Sequence, residues 1–248
     1  MNDRIKYLKD NKHRIADEKR ASMKCADGVS FFRTSMPNKQ SADKDDNYRG
    51  LADVMMLEAV INTTGLLDSH EDVHIPGLWD RSIADPRLVY LLQEHEREFD
   101  HVISDQVRVS VQEKTWKELG AEYEGSTQAL IFTADVHRDR NPYMFDQYLN
   151  GYVRNHSVGM RYVSLELCIN SDEKYYIDEK EAWDKYIGYV ANREDAETSG
   201  YFWAVTEAKL IEGSAVLFGS NWITPTISVE PKSDTGSKSL FSRIGKIF

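Results

Sequence analysis

Arg161-Tyr162-Val163-Ser164-Leu165-Glu166-Leu167-Cys168-Ile169 decides the fold class. Val163, Leu165, Leu167 and Ile169 fall at every second position, the period of a strand that turns one face to a core. A second alternating stretch runs from Trp203 to Phe218, where Leu210, Glu212, Ser214, Val216 and Phe218 share a face. Val107, Val109 and Val111 alternate with Arg108 and Ser110, and Val89–Leu92 is an apolar run of strand length. Helical signals are fewer. Asn141-Pro142 starts a helix, because proline in the first turn gives up a donor that has no partner there anyway. Phe145, Tyr148, Leu149, Tyr152 and Val153 continue it at helical spacing, with an end expected near Asn155, so that Ser157 falls where helix hands over to strand. Trp183, Tyr186, Ile187 and Val190 suggest a short amphipathic helix inside a polar insertion, residues 170–200, read as peripheral. Strands outnumber helices, and the expected class is a mixed, β-rich α+β domain.

With 248 residues, 41% of them hydrophobic, the chain can bury one sizeable core without metals or disulfides, and one domain is expected. Three parts follow from composition. Residues 1–50 form a charged N-terminal arm and loop: Asp3–Lys24 reads as an exposed, mobile helix with a thin apolar stripe at Ile5, Leu8 and Ile15, and Pro37–Gly50 as a polar surface loop. Residues 51–230 form the main domain, and 231–248 a flexible tail ending in the basic stretch SLFSRIGKIF. The formal charge of -10 argues against a nucleic-acid partner, since neutralising phosphates needs a basic face. Cys25 and Cys168 are far apart, which suggests neither a disulfide framework nor a thiolate metal site and fits a reducing compartment. Met1–Lys24 lacks the apolar core of a secretory signal, and no apolar run reaches membrane-spanning length, so a cytosolic protein is expected. Walker-type phosphate loops, dinucleotide fingerprints, paired Cys-x-x-Cys and internal repeats are missing from the sequence, and no cofactor is expected.

Three stretches carry chemistry together: Leu91-Leu92-Gln93-Glu94-His95, Asn155-His156-Ser157-Val158-Gly159-Met160 and Leu210-Ile211-Glu212-Gly213-Ser214-Ala215-Val216. They supply a base, a nucleophile and a carboxylate, the raw material of nucleophilic catalysis. Gly159 leaves room for a substrate carbonyl to approach the backbone near Ser157. His95 has a competitor in His101, six residues on. Glu212 sits among apolar neighbours, and a buried carboxylate needs a partner, for which an imidazolium formed during acyl transfer is suited. A metal-dependent alternative lies in His70-Glu71-Asp72-Val73-His74, a literal H-E-x-x-H. Zinc chemistry needs those five residues inside a helix, whereas Asp68-Ser69 before them would start one and Pro76-Gly77 soon end it.

Four segments in order resemble the prohead (capsid maturation) serine proteases of tailed bacteriophages, which share a β-barrel-like fold with the herpesvirus assemblins. They are Asp72-Val73-His74-Ile75-Pro76-Gly77-Leu78-Trp79; the apolar run into His95 followed by Val102-Ile103; His156-Ser157-Val158-Gly159-Met160; and Leu210–Val216 with Gly219-Ser220-Asn221. The likeness spans roughly residues 68–226. It implies an assemblin-like β-barrel core with surrounding helices and a serine endopeptidase with Ser157 as nucleophile, His95 as general base and Glu212 as orienting carboxylate. Its implied substrates are scaffold protein or the scaffold-like arm of the major capsid protein, cleaved inside the procapsid in the host cytoplasm, with self-cleavage and a homo-oligomeric state also expected and no membrane or nucleic-acid partner. The chain departs from the family pattern at Glu71 and Ser104, where glycine is usual, and in a longer stretch between Ser157 and Glu212, which leaves Glu207 and Glu166 open as the third residue. Assemblins use a second histidine there, but no histidine follows Ser157. A non-catalytic assembly or scaffold protein is the third reading, to which the charged arm and basic tail would suit equally well.

Overall fold

The computed structural model describes residues 3–23, 52–85 and 87–232. The loop expected at Pro37–Gly50, Cys25 and nearly all of the basic tail lie outside these residues. One antiparallel sheet is built from β1 (Val54–Thr63), β5 (Val107–Thr115), β6 (Ser126–His137) and β9 (Thr226–Lys232), in the order β5-β6-β1-β9. The central pair is buried, while β5 and β9 at the margins carry Arg108, Lys114, Glu230 and Pro231, residues that discourage further pairing.

The second sheet is organised by two long strands, β7 (Asn155–Ile169) and β8 (Tyr201–Val216), antiparallel over their full length. The other edge of β8 is shared. Its start pairs in parallel with β2 (Asp72–His74) and its end with β3 (Leu91–Gln93), beside which lies β4 (Val102–Ser104). Only Asp105 and Gln106 separate β4 from β5, so the chain changes sheets at a tight corner. There Ser104 Oγ donates to the Asp135 carbonyl at 2.6 Å. The expected mixed, β-rich α+β class is what the chain adopts, but among the described residues both sheets stay open, and the closed barrel expected from the family resemblance is not formed. Both edges of β8 are already occupied, and the charged margins of the other sheet meet no partner strand among the described residues.

The two sheets share one core, to which Met55, Leu57, Ile61, Phe132, Val158, Leu165 and Val205 contribute. They approach closely at Gly213, where a Cβ would stand 2.5 Å from Phe132 Cε2 and 3.0 Å from Ile61 Cγ2. The far face of the second sheet is covered by α5 (Ile177–Tyr186) and α6 (Arg193–Ser199), with Trp183 against Phe202 at a ring separation of 5.0 Å. The insertion expected to be peripheral is therefore a covering layer, required because Cys168, Phe202 and Ala204 face outward from the shared core. Gly200, at φ 75°, ends α6 in the left-handed cap that lets the chain enter β8 at once.

Other boundaries shift for physical reasons. The helix begun by Pro142, α4 (Pro142–Leu149), is capped by Asn141 Oδ1 accepting from Met144 N at 3.0 Å, and it stops well before Asn155. Asn150 closes it, and Ser157 lies inside β7 instead of at a helix-to-strand junction. Val163, expected on the core face, is 43% exposed, whereas Tyr162, Leu165, Leu167 and Ile169 are buried. Register shifts on either side of Ser164 reverse the alternation at that point. The N-terminal residues form two helices, α1 (Asp3–Asp10) and α2 (Lys12–Ala21), and they are docked, not loose: Ala16 is buried, and Ile5, Leu8 and Ile15 pack against the core.

The gap at Gly213 yields a prediction. Its φ is not in the left-handed region, so Gly213→Ala acts purely by volume, wedging the sheets apart against the buried Phe132 ring. A loss of about 1–3 kcal/mol in urea unfolding is expected, the usual cost of overpacking a dense core.

Candidate functional site

β3 aligns beside the end of β8, with Leu91 opposite Gly213, Leu92 opposite Ser214 and Gln93 opposite Ala215. The chain then turns sharply. Glu94 and His95 both take left-handed backbone conformations, at φ 51° and 62°, and Glu96 N closes the turn on Gln93 O at 3.0 Å. Such conformations cost non-glycine residues of order 1–3 kcal/mol each and persist where the surroundings impose them. Here the turn carries the His95 imidazole back over β8.

On β8, Glu212 and Ser214 point to the side opposite Gly213 and hence away from the shared core. The Glu212 carboxylate is 3% exposed and has two partners. Oε1 lies 2.7 Å from His95 Nδ1, and Oε2 accepts from Ser214 Oγ at 2.7 Å. Ser214 Oγ also accepts from the His95 backbone N–H at 3.2 Å, so one hydroxyl ties both members of the pair. An ionised carboxylate accepts only, so Nδ1 carries a proton, and in the neutral ring Nε2 is left with a lone pair. Nε2 is buried and has no hydrogen-bond partner among the described residues. The arrangement can orient a neutral imidazole as a base and stabilise the imidazolium that follows proton uptake.

Ser157 lies directly across from Ser214 in the β7–β8 ladder, 7% exposed. Opposed residues have Cβ atoms about 4.5–5.5 Å apart on the same face of a sheet, which puts the Ser157 hydroxyl on the side of Glu212 and His95. It does not hydrogen-bond Nε2 in this structure. Gly159, two residues along the same face, is opposite Glu212. A Cβ there would come within 1.8 Å of Glu212 Oε1, so the carboxylate occupies the space a side chain would take. The role of Gly159 is thus to admit Glu212, inside β7 at the point where the register with β8 shifts. Ser214 was the other functional position that motif reading left without a role, and its two-residue spacing from Glu212 on a strand was the available signal.

The competing residues are engaged elsewhere. Glu207 meets Arg81 Nη1 at 2.9 Å, and Glu166 accepts from Tyr186 OH at 2.8 Å. His101, on a short turn of 3₁₀ helix, approaches Asp100 and Glu98. His70-Glu71-Asp72-Val73-His74 is not helical: Asp72–His74 is β2, and Glu71 has φ 58°. The two histidines therefore lack the one-turn helical spacing that the zinc reading requires. His74 instead lies in a buried chain in which Asn62 Nδ2 approaches Nδ1 at 2.9 Å, Nε2 approaches Tyr162 OH at 3.3 Å, and Tyr162 OH donates to Asp72 Oδ2 at 2.8 Å. Asp72 is fully buried and paired with Lys19. Burial, followed by the charge of Asp72, pushes the nearby Asp68 up to about 6.

Beside the dyad opens a cavity of about 270 Å³, walled by Tyr90, Leu92, Phe99, Val102 and Ile211, with Glu212 at one side and Arg97 and Arg140 also lining it. Comparison of the chain with protein-family models, curated proteins and solved structures finds no match.

His156, next to the candidate nucleophile, is wholly buried between Tyr148 OH, 3.0 Å from Nε2, and the Thr224 carbonyl, 3.0 Å from Nδ1. Burial holds its pKa down to about 4 from 6.5, so it stays neutral in the fold after an unfolded chain has taken up a proton. Stability from this residue is intact above pH 6.5 and is lost as pH falls towards 4, by roughly 3 kcal/mol in all. Asp68, raised from 3.8 to about 6, works in the opposite direction, adding stability as pH falls between those values. Urea unfolding of the parent and His156→Asn at pH 7, 5.5 and 4.5, conditions chosen to bracket these transitions, is therefore expected to show the parent losing more stability than the variant.

Proposed function

We propose that the chain is a serine endopeptidase in which Ser157 is the nucleophile, His95 the general base and Glu212 the carboxylate that orients it. The observation that carries this reading is the 2.7 Å contact of Glu212 Oε1 with His95 Nδ1, which leaves Nε2 unpartnered on the face of the sheet that bears Ser157. In acylation, Ser157 Oγ attacks the substrate carbonyl carbon as Nε2 takes the hydroxyl proton. The tetrahedral intermediate collapses when the imidazolium returns that proton to the leaving amine. Water, deprotonated by the same nitrogen, then releases the acyl group. Throughout, Glu212 stays ionised and fixed by Ser214.

The substrate reading rests on the resemblance to the prohead proteases. It assigns scaffold protein, or a scaffold-like arm of the major capsid protein, as the polypeptide cleaved within the procapsid, with self-cleavage in addition. The family's barrel lends no support, because both sheets are open; the side-chain constellation does. The metal-dependent alternative through His70 and His74 loses its helical premise.

A fluorophosphonate probe is expected to label Ser157 in the parent and not in Ser157→Ala or His95→Ala, read by peptide mass spectrometry. Intact mass against time should show discrete truncation in the parent alone. Failure of the probe to label Ser157 in every folded form that keeps Ser157 and His95, with the N-terminal helices docked or displaced, would remove the assignment. Glu212→Gln, which keeps the shape but loses the charge that stabilises an imidazolium, is expected to lower kcat by about 10³- to 10⁴-fold with little change in KM.

A further inference from the structure

The N-terminal helices reach the candidate site. Between residues 3 and 21 they carry seven Lys or Arg against four Asp or Glu, on a chain whose net charge is -10. Lys9 Nζ and Lys12 Nζ lie 2.5 Å and 2.6 Å from the two oxygens of Glu179, a residue of α5 that is 2% exposed. Burial alone would raise the Glu179 carboxyl, yet the two ammonium groups bring it below its usual range. Lys19 pairs with the fully buried Asp72 and stands over the Trp203 ring, 5.8 Å from its centroid. Arg4 meets Glu71 at 3.1 Å and lies over the Tyr201 ring. Glu179 thus finds two cations on the arm and Asp72 one, and without the arm each buried carboxylate would lose an ionic partner.

The end of α2 also lies at a particular place. Met23, just beyond α2, brings its methyl carbon to 2.7 Å from where a Cβ at Gly159 would stand, the position that lies 1.8 Å from Glu212 Oε1. The lysine attachments are on α5 and β2, while Met23, past the end of α2, rests on β7 beside the carboxylate that orients His95.

We propose that the N-terminal arm is a regulatory strap: docked through Lys9, Lys12 and Lys19, it holds Met23 against Gly159 and closes the approach to Glu212 and His95, and undocking opens it. The inference rests on the preceding reading only in taking that pair as the reactive centre. Shape and charge act together, since the ion pairs hold the arm and Met23 obstructs. A substrate segment that must lie along β7 to reach Ser157 competes with Met23 for the same surface.

The test uses the full chain and two readouts independent of peptide hydrolysis: hydrogen exchange of residues 3–21, and carbethoxylation of His95 by diethyl pyrocarbonate, scored by mass spectrometry with the half-buried His101 as internal reference. Glu179→Gln removes the partner of Lys9 and Lys12 on α5, away from the dyad. It is expected to speed exchange in the arm and raise His95 modification by roughly tenfold, a local opening that leaves the rest of the fold protected, with His101 unchanged. Met23→Ala keeps every ion pair, and is expected to raise His95 modification without changing exchange in the arm, so the idea stays testable should Glu179→Gln fail to fold. Faster arm exchange with unchanged His95 modification would overturn the strap, as would unchanged modification in Met23→Ala. If modification rises as expected and Ser157 never reacts with a fluorophosphonate, the peptidase reading fails and the strap stands. Serine-dependent cleavage at equal rates and equal His95 modification in all three forms would have the reverse meaning.

Discussion

The Glu212 carboxylate lies over the backbone of β7 at Gly159, and much of the architecture is arranged around making that position possible. A carboxylate taken from water costs several kcal/mol unless it is fully partnered, and here the partners come from separate parts of the chain. Ser214 is two residues along the same strand, while His95 arrives on a turn at the end of a short parallel strand. The space itself is supplied by β7, through the absence of a side chain at one residue. β8 must therefore be held on both edges at once, by β7 on one side and by β3 on the other. The parallel pairing of so short a strand as β3 would be weak in isolation. It is stabilised by continuing into a core in which Leu91 and Ile103 are wholly buried.

Buried charge recurs at the other end of the same strand. Asp72 pairs with Lys19, hydrogen-bonds Tyr162 and sits near Asp68, and Glu179 binds two lysines. The body of the domain thus holds two buried carboxylates that the arm helps to neutralise, which explains why an acidic chain keeps a basic N-terminus packed against it. The apolar contribution of the arm is small by comparison, with Ala16 its one buried residue among those described. Attachment of this kind is directional and specific, and it weakens together when any shared carboxylate is lost.

Much of the site was legible in the sequence because a strand's period is two. Glu212 and Ser214 fall on one face in any extended reading, and a carboxylate among apolar neighbours asks for a cation or an imidazole. His95 over His101 and Glu212 over Glu207 or Glu166 were open choices, since each needs a distance, and distances across a sheet come from register. Register is also what misled: Val163 looks inward by simple alternation, and only the irregularity around Ser164 turns it out. The end of α4 was misplaced because Tyr152 and Val153 keep helical spacing after Asn150 has ended the helix. The arm read as mobile since its apolar stripe is thin, and the buried carboxylates that hold it are distant in the chain. Closure into a barrel was inherited from the resemblance, and nothing in strand patterning alone distinguishes an open pair of sheets from a closed one.

The turn at Glu94 and His95 has a consequence for how the imidazole is aimed. Glycine would enter the left-handed region without steric cost, and a pair of glycines would make the more relaxed turn. It would also admit many neighbouring conformations, each pointing the next side chain in a different direction. Two residues with β-carbons have a narrow well there, and Glu94 adds a tether by accepting from Leu217 N at 3.1 Å. The ring at position 95 is consequently fixed by its own main chain as well as by Glu212. Loss of the carboxylate would leave the imidazole misprotonated before it left it misplaced, so the direction of the base and its proton are controlled by different atoms.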